Sequence, residues 1–143
     1  GRKVIQDSLK EILVKYENNF VTTESFQVIL ESHSNKDLKN FFSQWIKDSK
    51  KLDYAITKIK QSKLGNKYQV KLTLKRLGKA IMPVSISVTL RSGSKVFQVW
   101  DGEMNEAELT FEYIEPVKFV QIDPANTLPD IDTLNNHLDY MGL

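Results

Sequence analysis

Tyr68-Gln69-Val70-Lys71-Leu72-Thr73-Leu74-Lys75-Arg76-Leu77 sets Tyr68, Val70, Leu72 and Leu74 on one side of an extended chain and Gln69, Lys71, Thr73 and Lys75 on the other. Successive side chains of a strand point to opposite faces, so this stretch reads as a half-buried β-strand. The same period of two recurs from Val84 to Leu90, with Val84, Ile86, Val88 and Leu90 in phase, and from Ala107 to Tyr113, with Ala107, Leu109, Phe111 and Tyr113 in phase. Tyr54 to Gln61, Lys95 to Trp100 and Val117 to Ile122 add β-branched and aromatic runs of strand length. Leu64-Gly65-Asn66, Leu77-Gly78-Lys79, Ser92-Gly93-Ser94 and Asp101-Gly102 supply turn chemistry between them. Six or seven short strands, each with one apolar face, predict an antiparallel β-sandwich of the immunoglobulin or fibronectin type.

Upstream of about residue 50 the period is helical. Val4, Ile5, Leu9, Ile12, Leu13 and Tyr16 form one stripe, and Phe26, Ile29, Leu30 and His33 form a second that is entered through Thr22-Thr23 with Glu24 in its first turn. Leu38, Phe41, Phe42, Trp45 and Ile46 form a third, with Asn35 as the expected N-cap and Asp37 in the first turn. The fold class is therefore α+β: a short N-terminal helical segment followed by an antiparallel immunoglobulin/fibronectin-like β-sandwich. The period changes near Lys50-Lys51-Leu52, which divides the chain into residues 1–51 (helical), 52–124 (sandwich) and 125–143, a C-terminal tail with one helical turn expected around Thr133 to Leu138.

With 143 residues, 41% of them hydrophobic and 27% charged, the chain is ordinary globular material and is expected to fold. It contains no cysteine, which excludes disulfides, thiolate zinc sites and cysteine nucleophiles. No run of about 18 apolar residues is present and the opening residues lack a signal-peptide apolar region, so no membrane partner is expected. The compartment is not legible. A leading Gly followed at once by a helical pattern suggests a piece of a longer protein. The net charge of +2 hides an asymmetry: ten Lys or Arg and no acid from Lys58 to Lys95, then ten acids against Lys118 alone from Val96 onward.

Chemistry-bearing motifs are few. The two histidines, His33 and His137, stand far apart, and neither begins a His-Glu-x-x-His helix. His33 reads as a packing or helix-end residue and His137 as a tail residue. Gly-x-Ser-x-Gly is absent, Ser92-Gly93-Ser94 reading as a hairpin turn, and the six glycines are dispersed singly with no phosphate cradle. Glu106, Glu108 and Glu112 alternate with apolar residues as an ordinary exposed strand face does. Lys58, Lys60, Lys67, Lys71 and Lys75 would form a basic stripe, but it lacks interleaved exposed aromatics, and acidic strands can lie beside it as cross-strand partners. Nucleic acid is accordingly not the expected partner.

Val21-Thr22-Thr23-Glu24-Ser25-Phe26 and, eleven residues on, Asp37-Leu38-Lys39-Asn40-Phe41-Phe42-Ser43-Gln44-Trp45-Ile46 resemble the end of the catalytic domain in the alanyl-aminopeptidase (gluzincin) family of zinc metallopeptidases. Residues 1 to 16 look similar to the helix before that motif. Met82-Pro83-Val84, Glu115-Pro116-Val117-Lys118, Ile122-Asp123-Pro124 and Asn135-Asn136 resemble elements of the β-sandwich that follows the catalytic domain in bacterial members. The resemblance implies that residues 1–51 are a helical remnant of the catalytic domain and that the chain is a non-catalytic C-terminal structural and docking module, with the upstream catalytic domain of the same chain as its partner and zinc expected in the parent. The family's zinc ligands, substrate motif and catalytic tyrosine lie upstream of the matched region, so no catalytic, cofactor-binding or metal residue is assigned here. Exposed helix faces offer a route to a homo-oligomer. A free-standing β-sandwich binding module, for nucleic acid or glycan, is the other class of function the residues allow.

Overall fold

The computed structural model describes residues 1–141 and divides the chain into two compact units, Gly1–Ser49 and a second that begins at Lys50. Helices precede strands, and every strand pair is antiparallel.

The first unit contains α1 (Arg2–Lys15), α2 (Thr23–Ser34) and a short α3 (Lys39–Phe42) that runs into a π-helix over Ser43–Lys47. Thr22 caps α2, its Oγ1 accepting from Ser25 N at 3.1 Å. Asn35, expected to open the third helix, instead closes the second: it sits in the left-handed region at φ 53°, with its N–H donating to Glu31 O at 2.9 Å. Asn tolerates that conformation better than most residues, which suits it to the end of a helix. The start of α3 is served from elsewhere, by Glu31 Oε1 accepting from Leu38 N at 2.9 Å and Asp37 Oδ1 accepting from Lys39 N at 2.8 Å. Phe42 is buried and packs edge-on against Phe26 and Phe41, with ring centroids 6.1 and 5.9 Å apart.

The second unit holds β1 (Tyr54–Leu64), β2 (Lys67–Arg76), β3 (Val84–Leu90), β4 (Lys95–Trp100), β5 (Glu106–Tyr113), β6 (Val117–Ile122) and β7 (His137–Asp139). They form a three-stranded sheet, order β1-β2-β5, and a four-stranded sheet, order β4-β3-β6-β7. Of the expected in-phase apolar sets, Val70, Leu72 and Leu74 from β2, Val84, Ile86, Val88 and Leu90 from β3 and Tyr113 from β5 are buried, whereas Tyr68, Ala107, Leu109 and Phe111 are half-buried. Tyr54 on β1 meets Trp100 on β4, with centroids 5.0 Å apart, so both sheets contribute to one core.

The stretch read from sequence as a tail is built into this unit. Leu52 pairs with Asp130 in an isolated bridge, Thr133–Asn136 forms a 3₁₀ turn, and β7 adds to β6 with Gln121 opposite His137. A helical turn is present where one was expected, but it ends at Asn136 and the chain then turns extended. Leu52 is fully buried, and Lys51 O accepts from Ala80 N at 3.0 Å, so residues 51 and 52 belong to the strand-bearing unit. Gly78 is required by that close approach: a Cβ there would overlap Lys51 O and lie 2.7 Å from Asp53 N.

Burial pushes the Tyr54 hydroxyl pKa above its ordinary value, although the Met82 backbone bond and the Arg76 charge oppose the shift; burial moves Tyr113 the same way. A raised value in the folded state holds the proton more tightly than the unfolded chain does. The associated stability is complete below the ordinary tyrosine value and is lost as pH rises through the folded one. Urea melts are therefore expected to show stability falling above about pH 10, with the fall reduced in Tyr54→Phe. A flat profile from pH 9 to 11.5 would contradict this.

Candidate functional site

Two surfaces, one on each unit, carry the candidate residues. On the three-stranded sheet the alternation of β2 turns Lys67, Lys71 and Lys75 to the outer face, and the pairing of β2 with β5 brings Glu106, Glu108 and Glu112 beside them. Lys67 Nζ lies 3.1 Å from Glu112 Oε2, Lys71 Nζ 3.1 Å from Glu108 Oε1 and Lys75 Nζ 3.2 Å from Glu106 Oε2. Each carboxylate that could have served as an acid, a base or a cation ligand thus has an ammonium partner on the next strand. These partly exposed pairs contribute only about 0 to 1 kcal/mol each, and their main effect is on register. Lys58 and Lys60 extend the basic row onto β1, where Lys60 stands opposite Lys71.

Arg76, counted in the basic stretch from sequence, is a structural clamp. Its guanidinium donates to Gly102 O, Gly78 O, Glu103 O and Asn105 Oδ1 at 2.9, 3.0, 3.3 and 2.6 Å. Five donors in a rigid fork suit it to gathering loop carbonyls. Nothing in its immediate sequence marks that role, because all four acceptors come from loops.

The histidines are far apart in role. His33 Nε2 lies 2.7 Å from Glu11 Oε2 in a partly exposed contact that joins α2 to α1. His137 is a strand residue whose ring lies 4.9 Å from that of Phe119 and whose Nε2 is 3.5 Å from Asp139 Oδ1. Among the described residues no three His, Asp or Glu side chains come together as a metal-holding group. The described residues therefore do not fit a zinc ion.

The helical unit presents the second surface. The first stripe splits in the fold: Ser8 is fully buried and Val4 and Ile12 are half-buried, whereas Ile5, Leu9 and Leu13 are 47%, 47% and 73% exposed. Those three lie four residues apart, so they form one row along the open side of α1. Ser8, a small residue among larger ones, marks the buried side of the helix, a signal the apolar pattern alone does not register. Near the start of α1 an apolar groove of about 400 Å³ is lined by Val4, Ile5, Leu30, Leu38, Phe41 and Phe42, with Phe41 46% exposed. Row and groove share Ile5, and together they make a continuous apolar strip of the kind that normally meets another surface. No helix among the described residues is long and apolar enough to cross a membrane. No protein-family model, no curated protein and no solved structure matches the chain.

Proposed function

We propose that this chain is a non-catalytic structural and docking module of a zinc aminopeptidase-like protein, its helical unit being the last part of that protein's catalytic domain, covered by the rest of it, and its strand-bearing unit a brace. The observation that carries the docking reading is the exposed row Ile5, Leu9 and Leu13 with the adjoining groove. Covering the part of these side chains still in water is worth about 1 to 2 kcal/mol each, so a second surface that covers them is favoured. The parentage is supported by the residues quoted above: Phe26, Phe41 and Phe42 pack together as helix cement, as the resemblance implies. Seven antiparallel strands in two sheets, with the chain changing sheets between β2 and β3, between β4 and β5 and between β5 and β6, also suit a fibronectin-like sandwich. In this reading peptide hydrolysis by zinc-activated water belongs to the parent, and this chain supplies no group to it.

The test uses the natural polypeptide that contains this sequence. It should bind zinc stoichiometrically and hydrolyse aminoacyl anilides, whereas residues 1–143 alone should turn over none. Leu9→Asp with Leu13→Asp should lower the melting temperature of the longer protein while leaving that of the isolated chain within about 2 °C, because both side chains are already exposed. A longer polypeptide without His-Glu-x-x-His removes the aminopeptidase parentage. Indifference of the longer protein to the double substitution removes the docking role.

A further inference from the structure

The two sheets have four edges, formed by β1, β5, β4 and β7. An edge strand presents unpaired N–H and C=O groups and is ordinarily protected from pairing by charge, a bulge, proline or brevity. Three of these edges are protected. β1 breaks register between Ile56 and Lys58 and carries Lys58 and Lys60 outward; β5 carries Glu106, Glu108 and Glu112; β7 is three residues long. β4 has none of these features between its ends. It pairs with β3 without a register break, contains no proline, and leaves Phe97 60% and Val99 72% exposed. Its charges stand only at the ends, Lys95 at the start and Asp101 just past Trp100.

Hydrogen bonds already made on β3 identify the free groups of β4. Leu90 N donates to Ser94 O at 2.9 Å, and Ser85 O accepts from Asp123 N at 2.8 Å on the β6 side. In an antiparallel ladder the backbone groups of alternate residues face alternate neighbours, so the even-numbered residues of β3 and β4 bond each other. The N–H and C=O groups of Lys95, Phe97 and Val99 therefore face away from the sheet. Any strand added there must bond those residues, and in a two-fold symmetric pairing odd-numbered residues must oppose odd-numbered ones. An axis at Phe97 would set Lys95 against Val99. An axis at Gln98 sets Phe97 against Val99 and Lys95 against Asp101, twice each, which matches apolar with apolar and cation with anion.

We infer that β4 is a self-association edge, and that a second copy of this chain adds its own β4 antiparallel to the first about an axis at Gln98, making one continuous sheet from the two four-stranded sheets. Such an interface is isologous and closes at the dimer. Main-chain bonds supply the attraction and the Phe97–Val99 and Lys95–Asp101 pairs set the register. This inference does not rest on the aminopeptidase reading, since no residue of the helical unit takes part.

Sedimentation equilibrium of the 143-residue chain, from about 5 to 200 µM, tests it. A concentration-dependent monomer–dimer equilibrium is expected. Val99→Lys should weaken it by about a hundredfold, because it adds a cation on each side of the axis and removes two apolar pairs. Lys95→Glu should weaken it by about tenfold, and adding Asp101→Lys to that variant should restore most of the loss. Near-UV circular dichroism, to which Trp45 and Trp100 contribute, reports that each variant is folded. A wild-type chain that stays monomeric throughout overturns the inference. So does a dimer that withstands both Val99→Lys and Lys95→Glu, which would place the contact on the helices instead.

Discussion

Gly102→Ala is expected to destabilise the strand-bearing unit by about 3 kcal/mol, which at this size lowers the melting temperature by roughly 15 °C. Gly102 has φ 74°, and a Cβ there would overlap Tyr54 Oη and stand 2.9 Å from Met82 O. The space is occupied by a compact exchange of hydrogen bonds. Tyr54 Oη donates to Met82 O at 2.7 Å and accepts from Met82 N at 2.9 Å, while Gly102 O accepts from Arg76 Nε at 2.9 Å. Tyr54 is fully buried, so its hydroxyl has no water to fall back on. Tyr54→Phe should itself cost about 1 to 2 kcal/mol, the value of the lost bonds and of the Met82 groups left unpartnered. Because the two substitutions act on the same oxygen, the double variant should cost clearly less than their sum, a coupling that a double-mutant cycle in urea reads directly. A cost under about 1 kcal/mol for Gly102→Ala, or strict additivity, would show that the loop moves aside and that this oxygen does not control it.

Asp130→Ala should cost about 3 kcal/mol and release the C-terminal stretch from the sheet. One carboxylate holds three donors: Oδ2 accepts from Tyr54 N and Asn136 Nδ2, both at 3.0 Å, and Oδ1 accepts from Asp132 N at 3.0 Å. Beside it, Ile131 N donates to Leu52 O at 3.0 Å, and Asn135 Nδ2 reaches Asp53 Oδ1 at 3.1 Å. Removing the carboxylate leaves the backbone N–H of a fully buried residue without an acceptor, and the desolvation cost of that group is the largest part of the effect. Hydrogen exchange at Tyr54 N–H should accelerate by more than the global loss of stability accounts for, and trypsin should gain access at Lys50 and Lys51. Asp130→Asn keeps the shape while weakening the acceptor, so it should fall between wild type and alanine. Equal stability of all three proteins would show that β6 and β7 hold the C-terminal stretch without the clasp.

The charged ladder and the apolar row were both legible in one dimension, to different depths. Lys67, Lys71 and Lys75 against Glu106, Glu108 and Glu112 follow from two strands of period two carrying opposite charge. Once the strands are neighbours, the pairs are forced by alternation. The row Ile5, Leu9 and Leu13 was visible as part of a helical stripe, but a stripe does not say which of its sides is covered. That choice was made at Ser8, where the loss of side-chain bulk belongs to the buried side of α1.

By itself the sequence determined the change of period near residue 50, the strand cores from Tyr54 to Ile122, the cap at Thr22 and the α+β class, because each depends on interactions within a few residues. Only the tertiary structure decided that Asn35 ends one helix instead of starting the next, that His137 to Asp139 is a strand, that Arg76 binds loops, and that Gly78 and Gly102 are glycines for lack of room beside Lys51 and Tyr54. For the strand, the glycines and most acceptors of Arg76 the partners lie far away along the chain, and for Asn35 two short-range roles compete. Local pattern records what a residue prefers, whereas the backbone or hydroxyl that finally occupies the space next to it is set by the sheet order and by where the C-terminal stretch returns.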